Sequence, residues 1–448
     1  APAHFVAIVG AAVSGAEAAK VFTDRGIAVA VFEQNDRPYG KIEDGLPRWH
    51  DKQRPQEYRR IDERLDHPLV HFLPRTRLGE HVPFRELAES WGFSCVVLAN
   101  GAWRDRPLGI EGVEDFLGKG FTYQNPFIYW FNHYEEKGYD GPRCAVAEGA
   151  VVVGGGLASI DVVKVLMIET VRAALRTRGI EAGVVEVDHA GVDKALAAHS
   201  LTLASLGVAP CTLYYRRRIE EMPLASAKDD TPEAEAKAQQ VRRKILENAA
   251  EKYGFRVEPL ARPVGGIMEG GRLAGLRFVR TRLEGRKVLD VPGSEFDARA
   301  PLTVSSIGSI PAPIEGVPMK GEFYVWRDWD RGVLECDRPV FGLGNVVTGK
   351  GNIAVSRKHG QRSAAEIAAA YLGVGAPLPE GQTMLAGAAS RAAAQASAAA
   401  DAVQAKAAPL PPAQSASLLA RIRARQRAVG YDGGYAAWIR KVTPPDLK

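Results

Sequence analysis

The stretch "AVVVGGGLASIDVVKVL", residues 150–166, decides the fold. An apolar strand runs into Gly154, Gly155 and Gly156, and small and apolar residues then recur at helical spacing, with Ser159 small where the pattern ends. This is the strand–turn–helix fingerprint of a dinucleotide-binding unit, whose glycines allow a tight turn, a backbone close under a pyrophosphate, and a helix packed close to its strand. The start of the helix also leaves N–H groups unpaired, and these suit an anion. The strand that follows the insertion after this helix, "CTLYYRRR" at 211–218, ends in Arg216, Arg217 and Arg218. Guanidinium forks match an adenosine 2′-phosphate, whereas a free ribose hydroxyl calls for an acceptor. The unit is therefore expected to prefer NADP over NAD.

Working outward, a second fingerprint lies near the start of the chain, "IVGAAVSGAEAAKVF" at 8–22. Gly10 and Gly15 are in place, but Ala12 stands where the middle glycine is usual. The next strand, "AVAVFE", ends in Glu33, at the spacing expected of the acid that hydrogen-bonds an adenosine ribose. Ala12 adds one methyl under the phosphates; the position needs no positive φ, so a small shift of the ligand absorbs it. Two such units in one chain predict an α/β protein with two Rossmann-like domains that bind two dinucleotides.

The bulk numbers allow this and exclude little else. With 448 residues, 46% apolar and 25% charged, the chain has room for two or three domains, each with its own core. Apolar runs such as "SCVVLANGA" at 94–102 are too short to span a bilayer, and the beginning of the chain enters a strand without a targeting pattern, so a cytoplasmic protein is expected. Cys95, Cys144, Cys211 and Cys336 form no C-x-x-C pair and no metal-ligating cluster, which argues against zinc, a built-in iron–sulfur centre or a dithiol relay. A net charge of +5, with no basic run interleaved with aromatics, disfavours nucleic acid and is compatible with an acidic protein partner.

Two further stretches return the chain to its first unit. Residues 91–112 read as a strand and a turn leaving the first domain. Residues 338–356, "RPVFGLGNVVTGKGNIAVS", read as a buried strand, a glycine-rich turn and a small-residue helix, whose start offers N–H groups to the electron-rich edge of a flavin.

These pieces, with "PYGKIEDGLPRWH" at 38–50 and "FTYQNPFIYWFN" at 121–132, resemble the adrenodoxin reductase-like ferredoxin–NADP reductases. That branch of the two-dinucleotide flavoproteins has the glutathione reductase-like FAD/NAD(P) fold, and the likeness spans most of residues 5–372. The insertion including 191–210 also resembles that branch, and "YYRRRIEEMP" at 215–223 is similar to the glutamate synthase small subunit. The resemblance implies a discontinuous FAD domain, 1–110 and 333–375, an NADP domain, 111–332, and an Ala/Pro-rich linker and helical tail, 376–448. It implies FAD held by Gly10, Ala12, Ser14, Gly15 and Glu33, with Gly45, Leu46, Asn100, Gly344, Asn345, Gly351, Asn352 and Ile353 near the flavin. NADP would lie on Gly154, Gly156, Leu157, Ala158, Arg216 and Arg217, and His50 falls where the reductases bring a histidine to the flavin, making it the candidate catalytic side chain. Three departures are Ala12, Asn100 in place of a threonine and Asn345 in place of an aspartate, and "LPRW" before His50 differs from the usual A-P-D. An acid near the nicotinamide has no clean counterpart; Glu233 and Glu235 are the candidates, and neither is assigned the role.

The activity implied is hydride transfer from NADPH to FAD and then single electrons to a ferredoxin or similar small acidic carrier. The alternatives are an NADPH-input subunit of a larger complex, as in glutamate synthase, and a flavin-binding scaffold without chemistry. In the tail, residues 383–407 are expected to be an alanine-rich helix, and a second helix is expected to start at an N-cap Ser415 or Ser417 and end at Gly430. That basic helix is read either as a docking element or as a helix packed along the body.

Overall fold

Phe5–Val9 is buried along its whole length, so it carries apolar residues at every position rather than at every second one, as a central parallel strand must. In the computed structural model, which describes residues 2–375 and 406–445, this strand lies at the heart of a seven-stranded sheet. The strand order is Trp326–Asp328, Val333–Leu334, Val340–Gly342, Cys95–Leu98, Phe5–Val9, Ala28–Phe32, Val70–Leu73. The five strands from Val340–Gly342 onward are parallel, with Val6 opposite both Val29 and Cys95, and the other two pair antiparallel. Val340–Gly342 beside Cys95–Leu98 brings the late stretch 338–356 back to the first unit.

A second sheet, wholly parallel, runs Phe121–Tyr123, Thr303–Ser306, Val151–Gly154, Thr212–Tyr215, Arg256–Pro259. An antiparallel sheet built on Arg272–Glu284 packs beside it through Tyr214 and Phe278, whose rings stack at 4.1 Å. The chain thus divides into two units: the described residues of 2–43, 52–104 and 310–445, and those of Asp44–Asp51 with Asp105–Ser309. The divisions differ from the expected ones: the first break falls at 104 rather than 110, and two further stretches change unit. Residues from 310 onward go with the first unit because Trp326–Asp328 and Val333–Leu334 extend its sheet. Asp44–Asp51 goes with the second because Trp49 is buried in that unit's core beside Phe131.

The expected alanine-rich helix at 383–407 lies outside the described residues but for Lys406 and Ala407, which are not helical. The following helix spans Pro412–Ala428, so neither Ser415 nor Ser417 caps it. Pro412 instead opens it at the first helical position, where proline's missing N–H costs nothing and its fixed φ is already helical. One turn apart, Leu418 and Ile422 are fully buried in the core of the first unit with Phe5, Phe32 and Trp91. Arg421 donates to the Ser90 carbonyl and pairs with Glu86, while Arg423 and Arg427 are exposed. This helix is thus packed along the first unit. Among the described residues no helix is long and apolar enough to cross a membrane.

Leu418→Ala should lower unfolding stability by about 2–5 kcal/mol, the usual cost of truncating a buried leucine. Arg423→Ala, on the exposed side of the same helix, should stay within about 0.5 kcal/mol of the parent. Urea denaturation of both variants checks this.

Candidate functional site

In the first unit the turn after Phe5–Val9 is shaped by close backbone approach. Gly10 has φ +99°, and a Cβ there would lie 2.6 Å from the Ala99 carbonyl oxygen; at Gly15 it would lie 1.8 Å from that of Gly10. Ala12 has φ −70° and ψ −160°, extended backbone open to any residue, so its methyl carries no strain. No side chain caps the helix Val13–Thr23, and its first amides are available to an anion. Glu33 is buried just past Ala28–Phe32, and its carboxylate accepts the amides of Ala11 at 3.1 Å and Asn35 at 2.9 Å.

The returning stretch closes over this turn. A Cβ on Gly344 would lie 2.0 Å from Ser14 Oγ, and Ser14 Oγ donates to the Ser356 carbonyl at 3.3 Å. Gly344, at φ +76°, donates its N–H to Nδ1 of His359 at 3.0 Å. Burial, helped by the charge of Arg362, pulls the His359 pKa down to about 4, so the ring stays neutral and keeps this acceptor. His359 escaped the sequence reading; its only signal was a histidine two turns into the small-residue helix. Asn352, expected near the flavin, caps the helix Ile353–Glu366 through Oδ1, which accepts the amides of Ala354 and Val355. Gly351 lies beside Asn345, its would-be Cβ 3.7 Å from Nδ2. Asn100 donates to the Tyr324 hydroxyl at 3.1 Å. The amide oxygens of both, Asn100 Oδ1 and Asn345 Oδ1, are buried and accept nothing from the described residues.

In the second unit each fingerprint position has a separate reason. A Cβ on Gly154 would meet the Ser306 carbonyl oxygen at 2.5 Å, and one on Gly155 would meet the Tyr215 ring at 2.2 Å. A Cβ on Gly156 would meet no protein atom within 4 Å. Packing therefore does not demand glycine there, whereas a ligand laid against the backbone does. Leu157 and Ala158 open the helix Leu157–Arg176, with the Leu157 side chain 49% exposed and no side-chain cap.

Past Thr212–Tyr215 the arginines diverge. Arg216 is exposed and makes no ion pair among the described residues. Arg217 pairs with Glu221 at 3.5 Å and donates to the Arg286 carbonyl at 2.7 Å. Arg217 and Glu221, with Arg242, Arg286 and Glu235, line a cavity of about 380 Å³. Sequence reading missed Arg286 because it lies in a hairpin turn about seventy residues further along the chain.

Gly45, Leu46 and His50 fall in the segment that joins the second unit. The Leu46 carbonyl accepts from Asn132 at 3.1 Å, and Arg48 lies between the rings of Phe131 and Tyr134, 4.8 and 4.9 Å from their centres. Arg48 also pairs with Glu135 at 2.5 Å; against burial, Arg172 and Arg48 hold that carboxyl down to about 2. The Lys164 ammonium lies 4.2 Å from the Trp49 ring centre and bonds Asp188 at 3.1 Å. The arginine and tryptophan that depart from the reductases' pattern are thus the anchors that fix the backbone at His50. Glu235, one of the two acids considered for the nicotinamide, pairs with Arg242 at 2.7 Å. Among the described residues no group of three or more His, Cys, Asp or Glu surrounds a common metal position.

No family model matches the chain. Over 176 residues it is 31% identical to NADPH-ferredoxin reductase FprA of Mycobacterium tuberculosis, a stretch covering 37% of this chain and 36% of that one. It is 32% identical over 170 residues to the glutamate synthase [NADPH] small chain of the same organism, covering 35% and 32%, and 27% identical over 315 residues to the NADPH-Fe(3+) oxidoreductase subunit beta of Geobacter sulfurreducens, covering 68% and 37%. The matched stretches thus span only about a third of the length of these curated relatives. The solved structure of Mycobacterium tuberculosis FprA in complex with NADPH superposes with a TM-score of 0.65 at 19% identity, over 98% of this chain and 99% of that one. The chain has the FprA fold. In sequence, too, it is similar to the NADPH-ferredoxin reductases and to the glutamate synthase small chain.

The residues present fit dinucleotides in both units. The first offers uncapped helix amides, a carboxylate at the ribose position and two buried amide oxygens waiting for donors; the second offers uncapped helix amides, open space above Gly156 and an unpaired guanidinium.

Because the folded His359 pKa lies below its unfolded value of 6.5, its contribution is complete above about pH 6.5 and is lost as pH falls through about 4. The parent should therefore lose stability across that window. His359→Asn, whose side-chain oxygen can accept the Gly344 amide without titrating, should flatten the curve; denaturation midpoints from pH 7 to pH 4 test it.

Proposed function

We propose that this chain is an FAD-dependent NADPH oxidoreductase that delivers single electrons to a ferredoxin-type carrier, in the cytoplasm. The observation that carries the reading is the opposite chemistry at two equivalent strand ends: the buried Glu33 carboxylate in the first unit and the unpaired Arg216 in the second. An acceptor there suits an unphosphorylated ribose, as in FAD, and a guanidinium suits the 2′-phosphate of NADPH. Similarity to NADPH-ferredoxin reductase FprA supports NADPH as the nucleotide of the second unit, and FAD is assigned to the first by the site that fits it. A bound flavin would supply the chemistry, accepting a hydride and releasing electrons singly.

The protein's own part is to bind and orient. The amides of Val13 and Ser14 and the carboxylate of Glu33 would hold the pyrophosphate and ribose of FAD; Asn100, Gly344, Asn345, Gly351 and Ile353 would line its flavin end. The turn at Gly154–Gly156, with Leu157 and Ala158, would seat the NADPH pyrophosphate, Arg216 its 2′-phosphate, and Arg217 would reach it by exchanging Glu221 for the ligand. His50, with Gly45 and Leu46, is proposed to face the reacting rings, held by Arg48 and Trp49. With no dithiol pair and a net charge of +5, the acceptor is proposed to be a small acidic carrier drawn to the protein electrostatically.

A second reading has an observation behind it: the matches to the glutamate synthase small chain and to an oxidoreductase subunit beta favour an NADPH-input subunit of a larger assembly. Co-purification with a large partner from its native source separates that reading from a free-standing reductase.

Anaerobic mixing with NADPH should bleach the flavin band much faster than mixing with NADH. Arg216→Ala should raise KM for NADPH about tenfold or more, the worth of a charge-assisted hydrogen bond, and leave NADH unaffected. Equal rates with both nucleotides would remove the arginine assignment. A yellow protein that neither reduces would favour a non-catalytic scaffold.

A further inference from the structure

Glu33 is set by two loops that are neither helix nor strand. The loop of residues 33–37 follows Ala28–Phe32, and that of residues 74–77 follows Val70–Leu73. They are tied to each other: the Thr76 amide donates to the Glu33 carbonyl at 2.7 Å, the Arg75 amide to the Asn35 carbonyl at 3.1 Å, and the Arg75 guanidinium grips the Asp36 carboxylate with two nitrogens. The Asn35 amide in turn bonds the Glu33 carboxylate.

The tail holds this pair of loops from outside. Trp438, in the helix Tyr435–Val442, is 3% exposed, and its Nε1 donates to the Asp36 carbonyl at 2.8 Å. The Arg75 guanidinium lies 5.4 Å from the Trp438 ring centre. Arg425 donates to the Arg75 carbonyl at 2.7 Å and to Thr76 Oγ1 at 3.0 Å. Gln426, 7% exposed, donates to the Phe72 carbonyl at 2.8 Å. Tyr435, 6% exposed, donates to Asp62 at 2.7 Å. The tail's buried donors are thus spent largely on backbone carbonyls of the two loops and the strand that leads into them. The apolar contacts of Leu418 and Ile422 already anchor the first of the two helices.

We propose that residues 406–445 form a clasp for the adenosine half of the dinucleotide in the first unit, with Trp438 and Arg425 holding the Glu33 loop in the shape that presents its carboxylate to the ribose. The inference rests on the reading of that unit as the FAD site. Trp438 and Arg425 are positioning residues: they act on the ligand through Asp36, Arg75 and Thr76.

The test uses the full-length chain stripped of flavin and titrated with FAD, and separately with ADP, which carries the adenosine half alone. Trp438→Phe keeps the ring and removes the Nε1 donor. The expected result is a rise of about fivefold in the dissociation constants of both FAD and ADP, matching a lost hydrogen bond, with no change in NADP binding. Arg425→Gln should act in the same direction. Unchanged FAD and ADP affinity in both variants overturns the clasp while leaving the FAD site standing. NADP binding weakened to the same extent as FAD and ADP binding also overturns it, since a general loosening of the fold predicts that. A parent chain that takes up no FAD overturns the clasp and the FAD reading together.

Discussion

The first unit depends on how closely three pieces of backbone meet around Ser14. A Cβ on Gly15 would lie 1.8 Å from the Gly10 carbonyl oxygen, one on Gly344 would lie 2.0 Å from Ser14 Oγ, and one on Gly360 would lie 2.9 Å from the Ser14 carbonyl oxygen. These contacts let the helix Val13–Thr23 settle on its strand and let the helix Ile353–Glu366 settle on it in turn. Residues more than three hundred positions apart then line one turn. The unit is discontinuous for this reason, since neither the early fingerprint nor the late glycine turn can build the site without the other.

The same economy explains what the sequence made legible. Strand, turn, helix and terminal acid are local, so the fingerprints, Glu33 and Arg216 could be read from spacing alone. The cap at Asn352 was not legible, because spacing does not separate a side chain that serves its own helix from one that meets a ligand. The anchors of Asp44–Asp51 were invisible for a different reason. Arg48 and Trp49 stack on Phe131, Tyr134 and Lys164, which come from helices about eighty to more than a hundred residues further on. The tail helix could not be placed either. Its arginines spread around the helix and masked the two-residue apolar contact of Leu418 and Ile422, so charge pattern concealed burial.

The two units also divide their electrostatic work differently. In the first, the charged group at the strand end is buried and already engaged by protein amides, so its position is fixed before any ligand arrives. In the second, Arg216 is exposed and Arg217 is held by Glu221 in a partly exposed pair, which contributes little to stability and can be exchanged. A ligand meant to stay suits the first arrangement, and one that must come and go suits the second. That contrast agrees with the proposal of a resident FAD and an exchanging NADPH.

Ala12 makes the same point at the scale of one methyl. In the second unit Gly156 faces open space, so its missing side chain serves the ligand. In the first, a Cβ on Gly40 would lie 2.8 Å from the Ala12 Cβ. The methyl at position 12 therefore already has a glycine beside it that makes room, and its backbone is in an ordinary extended conformation. The glycine that the fingerprint lacks at position 12 reappears across the turn at position 40. A substitution that looks like damage in one strand–turn–helix is compensated by the loop packed against it, and the helix amides stay uncapped for the phosphates.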